Sequence, residues 1–362
     1  MSRGMTESEP DRTVLLVSNR RLNENTGRAE KFKTRKKLLA ERGWQLEVGY
    51  VEPSLTELPI GMRTVVRKAR DADVINSVSN PPHLQIAGGI AGRVTGTPWL
   101  AEFRDPLVEN PDVNLGSPAA RIRKQLESYI ITHADKVVWY DGIQIADDYF
   151  IDTYSDVSNV EQLPPIGFEA EKFNAITPES FEPFTITYAG SFYDGWIEPY
   201  GFLRGLDAYI EGANNPNIQA HFYGDWDSDY QHAVSEEGIG DYVQTHSFVP
   251  HEEIVGVLKG SDALLYVGGT DPRNSNNLPS KLYDYIGARQ PILALVDPNF
   301  RVAEVIRDYG LGIVAHPENT EEIHKAITRL VNGEFNFEPA SATEFTRERS
   351  SAAYIEALEA IS

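Results

Sequence analysis

Short apolar runs alternate with amphipathic stretches along almost the whole chain. Thr13–Ser18 (TVLLVS) reads as a buried strand, Glu30–Arg42 as a helix ended by Gly43, and Gln45–Val51 as a second strand. Asp73–Asn76 and Trp99–Phe103 (WLAEF) follow as strands, with a small-residue helix over Pro82–Val94 between them. Ser117–His133 opens with a capping serine and a proline in the first turn, a good helix start. Lys136–Tyr140 (KVVWY) is the next strand and Gly142–Tyr154 the next helix. The rhythm breaks at Leu163–Pro183, which carries prolines at 164, 165, 178 and 183 and reads as a linker over 164–183. It resumes with strands at Phe184–Ala189, Asn217–Tyr223, Val243–Ser247, Ala263–Val267, Pro291–Val296 and Gly312–Ala315. A last helix, Ala342–Ile361, has no strand after it and can pack back on the first half.

Strand-helix alternation of this kind predicts an α/β chain with two Rossmann-like domains, each a parallel sheet with crossover helices. The expected division is a polar, disordered start over 1–12, a first domain over 13–163, the linker, a second domain over 184–340 and the terminal helix over 341–362.

Composition narrows the function. Hydrophobic residues make up 41% of the 362, enough for two cores. Acidic residues outnumber basic ones 54 to 33, for a net charge of −21, which disfavours nucleic acid as a partner. Arginine outnumbers lysine 22 to 11, and the acidic, lysine-poor surface suggests a halophilic protein whose self-repulsion is screened by salt. With no cysteine there are no disulfides or thiolate sites. No apolar run is long enough for a membrane span, and residues 1–12 lack the apolar core of a signal peptide, so the expected location is the cytoplasm.

In open α/β sheets ligands bind beyond the carboxyl ends of the strands, so candidate chemistry is sought in the strand-to-helix turns. Asn274–Tyr285 (NSNNLPSKLYDY) crowds polar side chains into such a turn. Ser280 and Lys281 sit at the helix start, where free amides and an ammonium suit a diphosphate, and Asp284 is placed one turn on for ribose hydroxyls. The alternative is a solvated cap with an intrahelical Lys281–Asp284 pair. Arg104 and Asp105 end a buried strand; the arginine can fork to a phosphate while Asp105 orients it or meets an acceptor hydroxyl, or the two form a structural ion pair. Gly190 and Ser191 open a turn where backbone can approach a ligand. His83 lies in a loop after DVIN and can face the site or simply start a helix. Arg20, Arg21, Arg28, Lys31, Lys33, Arg35, Lys36 and Lys37, with Arg121, Arg123 and Lys124, form two basic segments in an acidic chain. They are either solvated helix faces or a contact with an anionic membrane at the inner face of the cell. There is no GxGxxG, Walker A, GxSxG or HExxH pattern, and the histidines lack metal-ligand spacing.

DVINSVSNPPHL, WLAEFRDP and HADKVVWYDG resemble the acceptor-side domain of family 4 glycosyltransferases with the GT-B fold, in the branch with an EFRDP-type signature. LPPIGFEAEKF resembles the crossing segment, and FTITYAGSFYDGW, LPSKLYDYIGARQPILALV and GLGIVAHPENTEEI resemble the donor domain in order. The resemblance implies two domains facing each other across a cleft. It also implies retaining transfer of a sugar from a nucleoside-diphosphate sugar to a glycan or lipid-linked hydroxyl in surface glycan synthesis, without metal or other cofactor. Lys281, Ser280 and Gly190 would hold the diphosphate with help from Arg104, Asp284 the ribose, and Asn276 or Asn277 the sugar; Asp105 and His83 fall on the acceptor side. The family's two glutamates, seven residues apart, are replaced here by Asn276 and Asp284. Two other readings stay open: a nucleotide-sugar epimerase of the same fold, and a degenerate subunit that binds a partner.

Overall fold

The structure is a computed structural model that describes residues 12–19, 27–54, 56–108, 116–143, 149–154, 157–214, 216–272 and 275–362, without the side chains of 27–31 and 33. The chain divides into two compact units, Met1–Ile166 with Arg347–Ser362, and Gly167–Thr346.

The first unit holds β1 (Arg12–Ser18), α1 (Gly27–Glu41), β2 (Trp44–Tyr50), α2 (Leu58–Ala69), β3 (Val74–Val78), α3 (His83–Thr95), β4 (Trp99–Phe103), α4 (Pro118–His133), β5 (Lys136–Tyr140), α5 (Tyr149–Thr153) and β6 (Val160–Leu163). Its six strands are all parallel, in the order β2-β1-β3-β4-β5-β6. Fully buried strands such as β4 are covered on both faces, as a parallel sheet requires. Ser117 caps α4 by accepting from the Ala120 amide, as its position predicts. The crossover from β1 to β2 runs one way along the sheet, and those from β2 to β3, β3 to β4 and β4 to β5 run the other way. Right-handed connections therefore put α1 on one face and α2, α3 and α4 on the other. The basic segments on α1 and α4 therefore lie on opposite faces of this sheet. Arg20 and Arg21, and the side chains of Arg28, Lys31 and Lys33, lie outside the described residues.

The second unit holds α6 (Ala170–Ala175), β7 (Phe184–Ala189), α7 (Tyr200–Gly212), β8 (Ile218–Tyr223), α8 (Ser228–Glu236), β9 (Val243–His246), α9 (His251–Gly260), β10 (Ala263–Gly269), α10 (Ser280–Ala288), β11 (Ile292–Val296), α11 (Arg301–Asp308), β12 (Gly312–Ala315) and α12 (Thr320–Asn332). Its parallel sheet runs β12-β11-β10-β7-β8-β9, the doubly wound order whose direction reverses between β7 and β10. Each unit has its own apolar core around its own sheet.

Two local differences from the sequence reading have physical causes, and a third region is described only in part. Part of the proline-rich stretch is folded onto the second unit: Phe168 and Phe173 pack against Gly287, and Lys259 Nζ donates to the carbonyls of Phe173 and Ile176. The helix expected over Gly142–Tyr154 is α5 alone among the described residues, since 144–148 lie outside them. The last helix is interrupted: Pro339–Phe345 is a 3-10 turn in the second unit, and α13 (Arg347–Glu359) packs in the first, beside α1 and β5.

Candidate functional site

At the reversal between β7 and β10 the second unit opens a cavity of about 350 Å³. Its walls come from the turn after β7 (Gly190, Ser191), from β10 (Tyr266, Gly268), and from the loop and first turn of α10 (Asn277, Ser280, Lys281). A ligand pocket is expected at this place in an open sheet, because neighbouring crossover helices diverge there.

Lys281 dominates the site's electrostatics. Its stem runs inward from the start of α10, and Nζ lies 4.9 Å from the centre of the Tyr188 ring and 5.2 Å from that of Tyr266. Nζ donates to Tyr188 Oη at 3.3 Å and to the Val267 carbonyl at 3.4 Å, and no carboxylate pairs with it among the described residues. Loss of water around the ammonium lowers its pKa to about 8. Pro279 precedes α10 without a side-chain cap, so the positive end of the helix dipole also faces the cavity. A lysine and a helix N-terminus without a counter-ion make an anion site, since a half-buried positive charge is costly until a negative group joins it.

Backbone shape completes the anion site. Gly190 (φ +136°) and Gly224 (φ +142°) both adopt conformations that other residues avoid, and a Cβ on Gly224 would overlap the Gly190 carbonyl. The turn after β7 is thereby pressed close to the sheet. Gly190 N donates to the Tyr223 carbonyl, and Tyr285 Oη accepts from Ala189 N at 2.8 Å. Ser191 Oγ donates to Asp225 at 3.0 Å. Tyr193 and Trp196, both exposed, stand 5.8 Å apart at the cavity, two aromatic faces that sequence reading did not single out.

Of the expected donor residues, Gly190, Ser191, Asn277, Ser280 and Lys281 line this one cavity; Asn276 and Asp284 do not. Asn276 is exposed in the preceding loop. The Lys281–Asp284 pair is not formed: Lys281 turns inward between aromatic rings, whereas Asp284 Oδ2 lies 3.2 Å from His251 Nε2 on α9. His251 became visible only through folding, because the two residues are far apart in the chain.

The first unit carries the remaining candidates. Glu102, fully buried on β4, accepts from both Arg35 guanidinium nitrogens (2.8 and 3.2 Å) and from Arg104 Nε (3.0 Å). Arg35 also donates to Tyr140 Oη and lies over the Tyr354 ring at 3.9 Å. Burial alone would raise the Glu102 pKa, but the two guanidinium groups overcome that and hold it at about 2. Asp105 is therefore not what orients Arg104; Glu102 is. Asp105 instead accepts from Asn80 Nδ2 at 3.4 Å, and Ser79 Oγ donates to its carbonyl. His83 Nε2 lies 3.2 Å from the Val51 carbonyl.

Residues 204–349 match the family model of glycosyl transferases group 1. Comparison with curated protein sequences gives no match. Among solved structures, a glycosyltransferase from Rickettsia africae is similar over 97% of this chain and 98% of its own, with TM-score 0.65 and 13% identity. HepE of Anabaena, in complex with UDP and glucose, is similar over 96% of this chain and 100% of its own, with TM-score 0.62 and 15% identity. UDP-GlcNAc 2-epimerase from Methanocaldococcus jannaschii gives 0.57 at 12% identity, over 96% and 99%. The fold is that of GT-B proteins, with two Rossmann-like domains. The family match covers most of the second unit, including the Lys281 cavity except for its lining residues between Gly190 and Ile197.

Proposed function

We propose that this chain is a glycosyltransferase that moves a sugar from a nucleoside-diphosphate sugar to a hydroxyl of a glycan or lipid-linked acceptor. One observation carries the reading: Lys281, without a carboxylate partner, points with the start of α10 into a cavity at the sheet's reversal point. The family match over 204–349 supports sugar transfer, and the UDP and glucose bound to Anabaena HepE support a uridine donor.

In the proposed reaction the bond from the anomeric carbon to the diphosphate oxygen breaks, and its electron pair leaves with the diphosphate. The acceptor oxygen bonds to that carbon and gives up its proton to the departing phosphate oxygen. Charge builds on the leaving diphosphate, where Lys281 and the amides beside Ser280 stabilise it most, and this work needs no metal ion. Attack from the face the diphosphate leaves gives retention. Gly190 lets backbone reach the phosphates, and Tyr193 and Trp196 offer flat faces to the sugar ring. Asp284, steadied by His251, is assigned to ribose, and Arg104, Asp105 and His83 to the acceptor side.

Epimerisation fits less well. It requires a group that removes a proton from the sugar, and among the described residues those lining the cavity include no carboxylate or imidazole. Calorimetric titration with UDP-, GDP- and dTDP-sugars tests the proposal. Saturable binding of one donor, with nucleoside diphosphate released only when an acceptor is added, is expected. No binding of any donor points to a partner-binding subunit, and donor isomerisation without acceptor points to an epimerase.

A further inference from the structure

We propose that the outer face of α2, α3 and α4 docks on an anionic lipid bilayer. The three helices lie side by side on one face of the first sheet. Ile86, Ile90 and Val94 form a stripe at four-residue spacing along α3, exposed by 43%, 43% and 61%. Ile60 on α2 and Ile122 on α4 flank it, exposed by 58% and 66%. Five of the nine large apolar side chains exposed among the described residues thus share this surface.

Charge identifies the occupant. In a chain with 54 acidic residues and a net charge of −21, helices of 12, 13 and 16 residues carry a single acid, Glu127. Glu127 is fully buried, where it accepts from the Leu107 amide and from Tyr149 and Tyr154. The outward side chains of the three helices include Arg63, Arg67, Arg93, Arg121 and Lys124 instead. Isoleucines among cations, on three helices with no exposed acid and with Asp135 beyond the end of α4, have the make-up of an interfacial membrane contact. A second copy docked through the same face would set these cations against one another. An anionic headgroup layer neutralises them while the isoleucines enter the acyl boundary. The docking surface is separate from the Lys281 cavity and does not rest on the sugar-transfer reading.

The test is co-sedimentation of the full chain with vesicles of phosphatidylcholine, alone or mixed equally with phosphatidylglycerol, over a range of salt in which circular dichroism shows the fold intact. Binding is expected to the mixed vesicles and to be at least tenfold weaker to phosphatidylcholine alone. Arg63→Gln with Arg67→Gln, Arg121→Gln and Lys124→Gln should weaken it roughly fivefold per charge at low salt. At molar salt the Debye length is only ~3 Å, and the apolar contribution should dominate. Ile86→Ser with Ile90→Ser and Val94→Ser should therefore lose at least tenfold at every salt concentration. These side chains are exposed, so the triple variant should keep its circular dichroism and its donor titration. Equal binding to both vesicles at the lowest salt that keeps the fold, or none to either at any salt, overturns the proposal. So does self-association that the triple serine variant abolishes while vesicle binding is absent.

Discussion

Replacing Lys281 by methionine keeps most of the side chain's volume and removes its charge, so two opposite effects are expected from one substitution. The first is on stability. Desolvation lowers the lysine pKa from about 10.5 to about 8, which means the charged form is penalised in the folded protein. At about 1.4 kcal/mol per pH unit, and allowing for the solvent that reaches the cavity mouth, the penalty is about 2–3 kcal/mol. The group binds its proton more tightly when unfolded, so the cost is complete below pH 8 and fades as pH rises toward 10.5. Lys281→Met should therefore be more stable than the natural protein by about 2–3 kcal/mol at neutral pH, with the advantage gone by about pH 10.5. The second effect is on the donor. Losing a charge-assisted contact to diphosphate costs about 1.5–3 kcal/mol, roughly ten- to a hundredfold in affinity. The natural protein should also bind about tenfold more weakly at pH 9 than at pH 7, because only about a tenth of Lys281 remains charged. The variant should show no such trend beyond the ligand's own titration, which is common to both proteins. Urea unfolding and calorimetry with UDP or a UDP-sugar, each run across pH, measure the two effects. A methionine variant less stable at pH 7, together with donor affinity in the natural protein that ignores pH, would refute the assignment of Lys281 as a strained, waiting cation.

Other outcomes follow from the same structure. Glu102→Gln leaves Arg35 and Arg104 facing each other without a counter-ion and should cost about 3–5 kcal/mol in chemical denaturation. The Glu102 carboxylate is held at about 2, below its unfolded value, so its contribution is complete above about pH 4.3 and is lost as pH falls through 2. Gly224→Ala forces a Cβ onto the Gly190 carbonyl and should weaken donor binding more than Gly43→Ala, which also has positive φ but meets no neighbouring atom within 4 Å. If the net charge of −21 opposes compactness, the thermal midpoint should climb steadily between about 0.1 and 2 M potassium chloride; a flat or falling midpoint counts against a salt-adapted surface.

Much of this architecture is legible in residue order. WLAEF, KVVWY, FTITYA and GIVA mark strands β4, β5, β7 and β12 to the residue, because strands of a parallel sheet covered by helices are short and largely apolar. For Lys281 the sequence leaves two readings, an anion-binding helix start or a solvated cap paired with Asp284, and only the folded side chain separates them. What stays hidden depends on side-chain direction and distant partners. Sequence spacing places Asp284 near Lys281 but cannot show that one turns into an aromatic cavity and the other toward His251. Glu102 stands out in WLAEF as a charge in an apolar strand beside Arg104, yet Arg35 and Tyr354 come from distant parts of the chain. The acid-free helices α2 to α4 are plain in the sequence only once the sheet order shows that they are neighbours.

The crossing of the chain between units at Gly167 and again after Thr346 bears on how the protein is made. During synthesis the second unit is complete before the ribosome has released the residues that finish the first. Until α13 emerges, Arg35 has no Tyr354 ring above it, and Arg12 and the Trp44 indole lack the Glu359 carboxylate they share. A nascent chain stopped short of Arg347 therefore holds a finished second unit beside a first unit still lacking one wall, and α13 is the latch that closes it.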